Sequence, residues 1–510
     1  MSDNPTSISN KRIAKNTVYL YFRTILIMII TLYTSRVILN VLGVEDYGVY
    51  NAVGGVVSMF AVLSGALSAA ISRYITFELG KNNIERLKVI FSTSLNIQFL
   101  ISGIIIILGE TVGLWFVNTY LNIPPERMIA ANWVWQCALL AFVINLISVP
   151  YNASIIAHEH MNAYAVISIL DAGLKLGIVF LLKVSLLDKL ATYAVLTVLV
   201  AAIIRLTYGI YCKRHFQECS YVRVKDKALT KEMTSFAGFS FLNNTANILN
   251  SQGLNVLINI FFGVTFNAAR GIATQVEGAI MQLVNNFTVA VNPQITKSYA
   301  VGDKQRTFSL VCVGSKYAYF LMLFFAIPVF LETDFILKVW LKVVPDYAAV
   351  FLRLSLIGAM VKMLGNTGYT ACMATGDIKN YSIWITSVGI LAFPLTWIAF
   401  RMGFKAEYAY YVFIAVYVCV EIVRLILMKR MLDFPPSLFL RRVVLRIAVV
   451  TVICIVLPFL VHMHLETGWS RLLVVILASV ISVSVFVALF GMTKGERNSA
   501  VAFIRAKLKL

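Results

Sequence analysis

A chain of 510 residues with 59% hydrophobic and 13% charged residues and a mean hydropathy of +0.82 is too apolar for a water-soluble globular protein, which carries about 25% charged residues. Its formal charge of +20 would suit nucleic acid only if the cations shared one face. They are divided among separate loops instead, which argues against a nucleic-acid partner and makes the charge a topology signal.

The first fifteen residues, MSDNPTSISNKRIAK, are polar and lead straight into an apolar run, so no cleavable signal peptide is expected. Beyond them, runs such as FLISGIIIILGETVGLWFV and LLVVILASVISVSVFVALF match the ~20 residues a helix needs to cross the hydrocarbon core. A backbone in lipid must satisfy its own N–H and C=O groups, so such runs are helices. The alternating pattern of an outer-membrane barrel is missing. Fourteen spans are predicted in chain order, at about 16–42, 46–71, 89–117, 127–156, 161–182, 190–211, 234–262, 266–292, 308–331, 347–372, 381–401, 407–428, 443–462 and 470–491. The fold class is therefore all-α, a polytopic transmembrane helical bundle.

An even number of spans puts both termini on one side. If that side is the cytoplasm, its loops hold about 26 Lys and Arg against about 8 outside. The inside clusters are NKRIAK, LGKNNIERLK, CKRHFQECSYVRVKDK, GDKQR, MKRMLDFPPSLFLRR and RAKLKL. The seven cysteines are read as reduced, small and apolar. His158 and His160, in AHEHMN, are the one close histidine pair. A solvated loop is expected there, with a metal site the lesser reading. Otherwise no metal or cofactor motif is present.

The hydrophilic stretch 212–233 separates two halves, and internal similarity supports the division. LGVEDYGVYNAVGG (42–55) is followed about 220 residues later by FGVTFNAARGIATQ (262–275). ISRYITFELGKNN (71–83) answers to NPQITKSYAVGDKQ (292–305), and IIAHEHMNAY (155–164) to CMATGDIKNY (372–381). The expected organisation is a cytoplasmic tail (1–15), a six-helix half (16–211), a cytoplasmic linker (212–233), a second six-helix half (234–428), two extra helices (429–491) and a cytoplasmic tail (492–510). Repeated halves commonly enclose a pathway and alternate its access.

Ionisable residues at membrane depth are costly and normally face a cavity or a partner. Glu421 with Arg424, and Asp171 with Lys175, have the helical spacing of ion pairs. Arg36, Arg270 and Glu277 lie on repeat-related helices. Arg270, Thr274, Glu277, Asn285, Thr288 and Asn292 form one polar stripe along the eighth span. The seventh span carries Ser240, Asn243, Asn247, Asn250, Ser251 and Asn255. Amides can simply join helices, but so many on one span favour a wet cavity wall. Such a wall offers donors and acceptors to sugar hydroxyls, and arginines suit phosphate. Tyr33, Tyr47, Tyr50 and Tyr74 could stack on sugar rings.

With fourteen spans in two halves of six plus two, the chain resembles the multidrug/oligosaccharidyl-lipid/polysaccharide (MOP) exporter superfamily. Within it the likeness is greatest to bacterial polysaccharide flippases of the O-antigen (Wzx) type. It is carried by NTVYLYFRTILIMIITLYTSRVILNVLGVEDYGVYNAVGGVVSMF and NNFTVAVNPQITKSYAVGDKQR. The resemblance implies two lobes opening alternately to cytoplasm and periplasm in the bacterial inner membrane. Its implied cargo is an undecaprenyl-diphosphate-linked oligosaccharide for O-antigen, capsule or exopolysaccharide. The expected partners are that polyprenyl-linked glycan, membrane lipids, a polymerase and other polysaccharide-assembly proteins. Related lipid II flippases use arginines in helices 1, 2 and 8, where Arg23 or Arg36, Arg73 and Arg270 fall here. The candidate substrate-binding set is thus Arg23, Arg36, Arg73, Asn243, Asn247, Asn250, Arg270, Glu277 and Asn285. Glu110, Asp171 and Glu277 are the candidates for ion coupling.

Two alternatives remain at this level. A cation-coupled multidrug exporter of the same fold should have an acid-dominated cavity, whereas this one has more arginine than carboxylate. A membrane glycan polymerase or ligase usually needs a sizeable extracytoplasmic loop. The outer connections here, such as NTYLNIPPER, are short and hold no paired carboxylates, so no enzymatic activity is expected.

Overall fold

In a computed structural model of the chain, the described residues are 5–60, 71, 74–75, 78–79, 83–158, 160–223, 226–231, 233–234, 249–376, 378–493 and 495–498, with side chains from 24 onward apart from 289, 290 and 378. They form helices and connecting turns, with no strand among them. Eleven helices among them are long and apolar enough to cross a membrane. The second and seventh predicted spans run into residues outside this set. The eighth is helical throughout but more polar than the eleven, because it carries the polar stripe.

The chain divides into two compact units, Met1–Ala268 and Ala269–Leu510. The first contains α1 (Pro5–Ser58), α2 (Ile84–Leu108), α3 (Met128–Ala157), α4 (Met161–Val184), α5 (Lys189–His215) and α6 (Leu254–Phe262). The next helix, α7 (Val264–Ala300), crosses the division. The second unit adds α8 (Lys304–Leu331), α9 (Ala348–Met363), α10 (Asn366–Ala374), α11 (Ile378–Gly389), α12 (Ala392–Arg401), α13 (Tyr408–Leu432), α14 (Leu445–His464) and α15 (Trp469–Phe486).

The six-helix repeat has a backbone signature. Gly43 interrupts α1 with φ 84° and ψ 171°, and Gly263 separates α6 from α7 with φ 85° and ψ −176°. Both occupy the left-handed half of backbone space that side-chain-bearing residues rarely enter. Each bends the chain at the matching point of LGVEDYG and FGVTFNA. The predicted break between the first two spans falls at this bend, where two helices meet at Gly43.

Within the first unit, small residues let backbones approach. A Cβ on Gly48 would lie 2.0 Å from the Val264 carbonyl oxygen, and one on Gly55 would lie 2.4 Å from Asn255 Nδ2. Around these contacts Val49, Val53, Val134, Trp135 and Val256 form a closed core. Arg127 locks its rim. Its Nε and Nη2 reach both oxygens of Asp46 at 2.6 Å, and its Nη1 reaches Asp188 at 2.8 Å. Asp188 also caps α5 by accepting from the Ala191 amide at 2.9 Å.

In the second unit, α14 and α15 pack on α8 around Phe320, Leu323, Ile447, Val450, Val475 and Val483. Both ends of this packing are held by ion pairs. Glu332, buried, accepts from His462 Nδ1 at 2.7 Å and Arg471 Nη2 at 2.9 Å. At the opposite end, Lys316, 2% exposed, binds Glu496 at 2.7 Å. Many large apolar side chains on the outer faces stay uncovered, Leu477 and Val452 among them. On membrane-spanning helices that is the surface lipid solvates.

The AHEHMN histidines depart from the solvated loop expected of them. His158 stacks on Phe216 at 4.1 Å and pairs with Glu218. His160 Nδ1 lies 2.9 Å from the Tyr211 hydroxyl. Ring contacts with Tyr211, near the end of α5, and with Phe216, just after it, leave both histidines half-buried. Among the described residues no His, Cys, Asp and Glu cluster could hold a metal ion.

Candidate functional site

The polar stripe on α7 supplies the core of the site. Arg270 is buried, and its Nη1 donates to the Tyr410 hydroxyl at 3.3 Å, with the guanidinium 5.7 Å from that ring. Tyr410, on α13, packs in turn against Phe351 of α9 at 5.0 Å. Two turns along α7, Glu277 is half-buried. It lies within electrostatic reach of Lys362 and Arg270 and beside the Ser355 hydroxyl of α9. Lys362 sits 5.7 Å over the ring of Tyr417, itself on α13.

Three helices of the second unit thus bring Arg270, Glu277, Ser355, Lys362, Tyr410 and Tyr417 together. Their helical periods explain this: 270 and 277, 355 and 362, and 410 and 417 are each seven residues apart and share a helix face. Among the described residues, two cations face one carboxylate. Lys362 is exposed in the middle of the Ala348–Ala374 span. An ammonium at that depth cannot rest against hydrocarbon cheaply, so its exposed face meets water or a polar ligand. Such a cluster has net positive charge and a planar five-donor guanidinium, which favour an oxyanion.

Further along α7, Asn285 and Thr288 accept from Asn366 Nδ2 of α10 at 3.5 and 3.1 Å. Beyond them Arg424 pairs with Glu421, as their spacing predicts, and donates from Nε to the Tyr381 hydroxyl at 2.7 Å. A Cβ on Gly365 would overlap this guanidinium at 1.1 Å. This second cluster is electrically balanced and packed.

The first unit treats its amides differently. Asn267 Nδ2 donates to the Asn255 carbonyl and to Asn255 Oδ1, both at 2.8 Å. Asn259 Nδ2 donates to Asn267 Oδ1 at 2.9 Å, and its Oδ1 accepts from the Asn122 amide at 2.8 Å. Asn255 Nδ2 reaches the Asn51 carbonyl at 3.0 Å. Asn255 therefore belongs to a closed structural knot; Ser240, Asn243 and Asn247, expected on the same wall, lie outside the described residues.

The remaining predicted residues are dispersed. Asn250 is buried in the turn Leu249–Gly253. Arg36 is half-buried on α1 and has no carboxylate within 4 Å among the described residues. Glu110 is exposed and accepts from Gln136 at 2.9 Å; Asp171 binds Lys175 at 2.8 Å, as their spacing predicts. The Arg23 side chain, Arg73, Asn243 and Asn247 lie outside the described residues. Sequence reasoning did not place Ser355, Tyr410 or Tyr417 in the site. Their seven-residue register with Lys362 and with each other was the available signal.

Comparison with known proteins bears on this arrangement. The model of a family described as "Polysaccharide biosynthesis protein" matches residues 13–299. The chain belongs to this family. All of the matched residues lie upstream of the Lys304–Leu331 span. A curated relative, the "Uncharacterized membrane protein EpsK" of Bacillus subtilis (strain 168), is 20% identical over 283 residues. That match takes in 55% of this chain and 56% of the relative, so the chain spans little more than half of that relative's length.

Two solved structures share the fold of this family member. The lipid II flippase MurJ in an inward closed conformation superposes with a TM-score of 0.71 at 14% identity, covering 94% of this chain and 98% of that one. An inward-facing multidrug resistance MATE family transporter of the MOP superfamily has a TM-score of 0.64 at 14% identity, covering 79% and 94%. At such identities the likeness is one of fold.

Proposed function

We propose that this protein is a flippase that carries a polyprenyl-diphosphate-linked oligosaccharide from the cytoplasmic to the periplasmic leaflet by alternating access. In this reading the halves 16–211 and 234–428 alternate, and both termini are cytoplasmic in a bacterial inner membrane. The product feeds a polymerase and other assembly proteins for O-antigen, capsule or exopolysaccharide.

The observation that carries the proposal is the cluster of Arg270, Lys362 and Glu277, two cations and one carboxylate among the described residues, at membrane depth in a polysaccharide biosynthesis family member. A diphosphate with two or more negative charges complements two cations. Ser355 and the tyrosine hydroxyls can hydrogen-bond the neighbouring sugar, and the lipid tail stays in the bilayer. A multidrug exporter moving organic cations would need the opposite charge balance.

The test is deletion followed by complementation. Loss of the gene should make lipid-linked repeat units accumulate on the cytoplasmic leaflet and deplete surface glycan. Unchanged surface glycan without accumulation would sink the reading.

A further inference from the structure

The two helices beyond the repeats end at a cavity of about 410 Å³ that the proposed transport path does not use. Arg441, Arg446 and Arg497 line it on one side; Leu445, Val449 and Leu489 form its apolar wall. Arg446 is fixed by the last carbonyls of the α15 span, donating from Nη1 to Met492 O at 2.7 Å and to Phe490 O and Gly491 O at 3.3 Å. Arg497 Nη2 donates to Leu489 O at 3.2 Å. Among the described residues, these bonds use one terminal nitrogen of each of the two guanidiniums and leave the other N–H donors available.

No carboxylate lies within 4 Å of these three arginines among the described residues. The nearby Glu496 is engaged by Lys316 at 2.7 Å and by the Thr493 amide at 2.8 Å. Three positive charges without a paired carboxylate among the described residues therefore stand where the Pro436–His464 span begins and the Trp469–Gly491 span ends. The ends of membrane spans meet lipid head groups. Leu445 and Leu489 are 60% and 51% exposed, and the apolar face continues along α14 through Val452. Charge at the rim and hydrocarbon below it match one kind of molecule.

We infer that this cavity binds an anionic diacyl phospholipid, its phosphate on Arg441, Arg446 and Arg497 and its acyl chains along Leu445, Val449 and Leu489. The wall is continuous with the lipid-facing surface of α14, where bulk phospholipid is the abundant occupant. A volume of about 410 Å³ takes a phosphate head group. Bound there, the lipid would brace the Lys316–Glu496 end of the α8–α14–α15 packing.

The test is native mass spectrometry of the purified full-length protein with phosphatidylglycerol, phosphatidylcholine and undecaprenyl phosphate as probes. Phosphatidylglycerol should bind in preference to phosphatidylcholine. Each surface cation contributes about fivefold to such binding, so Arg441→Gln with Arg497→Gln should weaken phosphatidylglycerol about thirtyfold and leave phosphatidylcholine unchanged. Leu489→Trp, which narrows the cavity without removing a charge, should weaken phosphatidylglycerol as well and keeps the test decisive if the double variant does not fold. The inference is overturned by unchanged phosphatidylglycerol binding in these variants. An equal fall in the distant control Arg401→Gln with Lys405→Gln, or displacement by equimolar undecaprenyl phosphate, would overturn it too.

Discussion

Asn267 and Arg270 are one helical turn apart on α7, yet they serve polar clusters of opposite character. The knot around Asn267 joins Asn51, Asn122, Asn255 and Asn259 by neutral hydrogen bonds, and Asn255, Asn259 and Asn267 are buried. Among the described residues, the cluster around Arg270 has two cations to one carboxylate and leaves Lys362 exposed. A closed neutral network holds backbones at fixed separation and has nothing left to offer a ligand. An unbalanced charge in the membrane is destabilising unless something from outside completes it. The contrast teaches that the count of polar residues on a span says little about transport; charge balance and exposure say more.

Glycine substitutions test this division most severely. Gly48→Ala drives a methyl group into the Val264 carbonyl, which backbone cannot yield, so no folded protein is expected by size-exclusion of solubilised membranes. At Gly365 the obstacle is the Arg424 side chain. Gly365→Ala should fold with the Arg424–Glu421 pair disturbed, at a cost of about 2 kcal/mol. Equal yields of the two variants would remove the distinction between a backbone knot and a side-chain cluster.

Replacing Arg270 by Ala should lower surface glycan in a complemented deletion strain at least about tenfold, with normal protein level and melting temperature. Normal export would take Arg270 out of the mechanism. Asn267→Ala should do the reverse. It strands Asn259 Nδ2 and the Asn255 acceptors, which costs about 2 kcal/mol of stability, while export per folded molecule holds. Thermal unfolding beside a transport readout separates the two, and parallel losses would merge the clusters into one.

The smallest effect lies outside the spans. Burial pushes the Glu218 carboxyl up, but a hydrogen bond and charge attraction from His158, together with a backbone hydrogen bond, hold it below the ordinary value of 4.5. A depressed carboxylate contributes stability that is present above its unfolded pKa and lost as pH falls through the folded one. Acidification below about pH 4.5 should therefore lower the melting temperature of the native protein more than that of Glu218→Gln. An identical acid dependence would show that the pair adds no stability.

Much of this was legible in the chain itself. Apolar runs about twenty residues long define membrane helices because lipid provides no partner for a bare backbone. The LGVEDYG and FGVTFNA segments announced a repeat, and Gly43 and Gly263 adopt the same left-handed conformation because that bend admits little else. The stripe from Arg270 to Asn285 followed from helical spacing alone. What spacing could not reveal is which partner each residue meets from another helix. Asn255 and Asn285 looked alike in sequence, yet one closes a buried knot and the other meets Asn366. Lys362 became part of a site only when α9 and α7 were brought side by side, and Tyr410 and Tyr417 carry no charge to signal them. Sequence determines which residues must leave water; contacts between distant segments decide whether a polar group that goes with them is satisfied or left to bind.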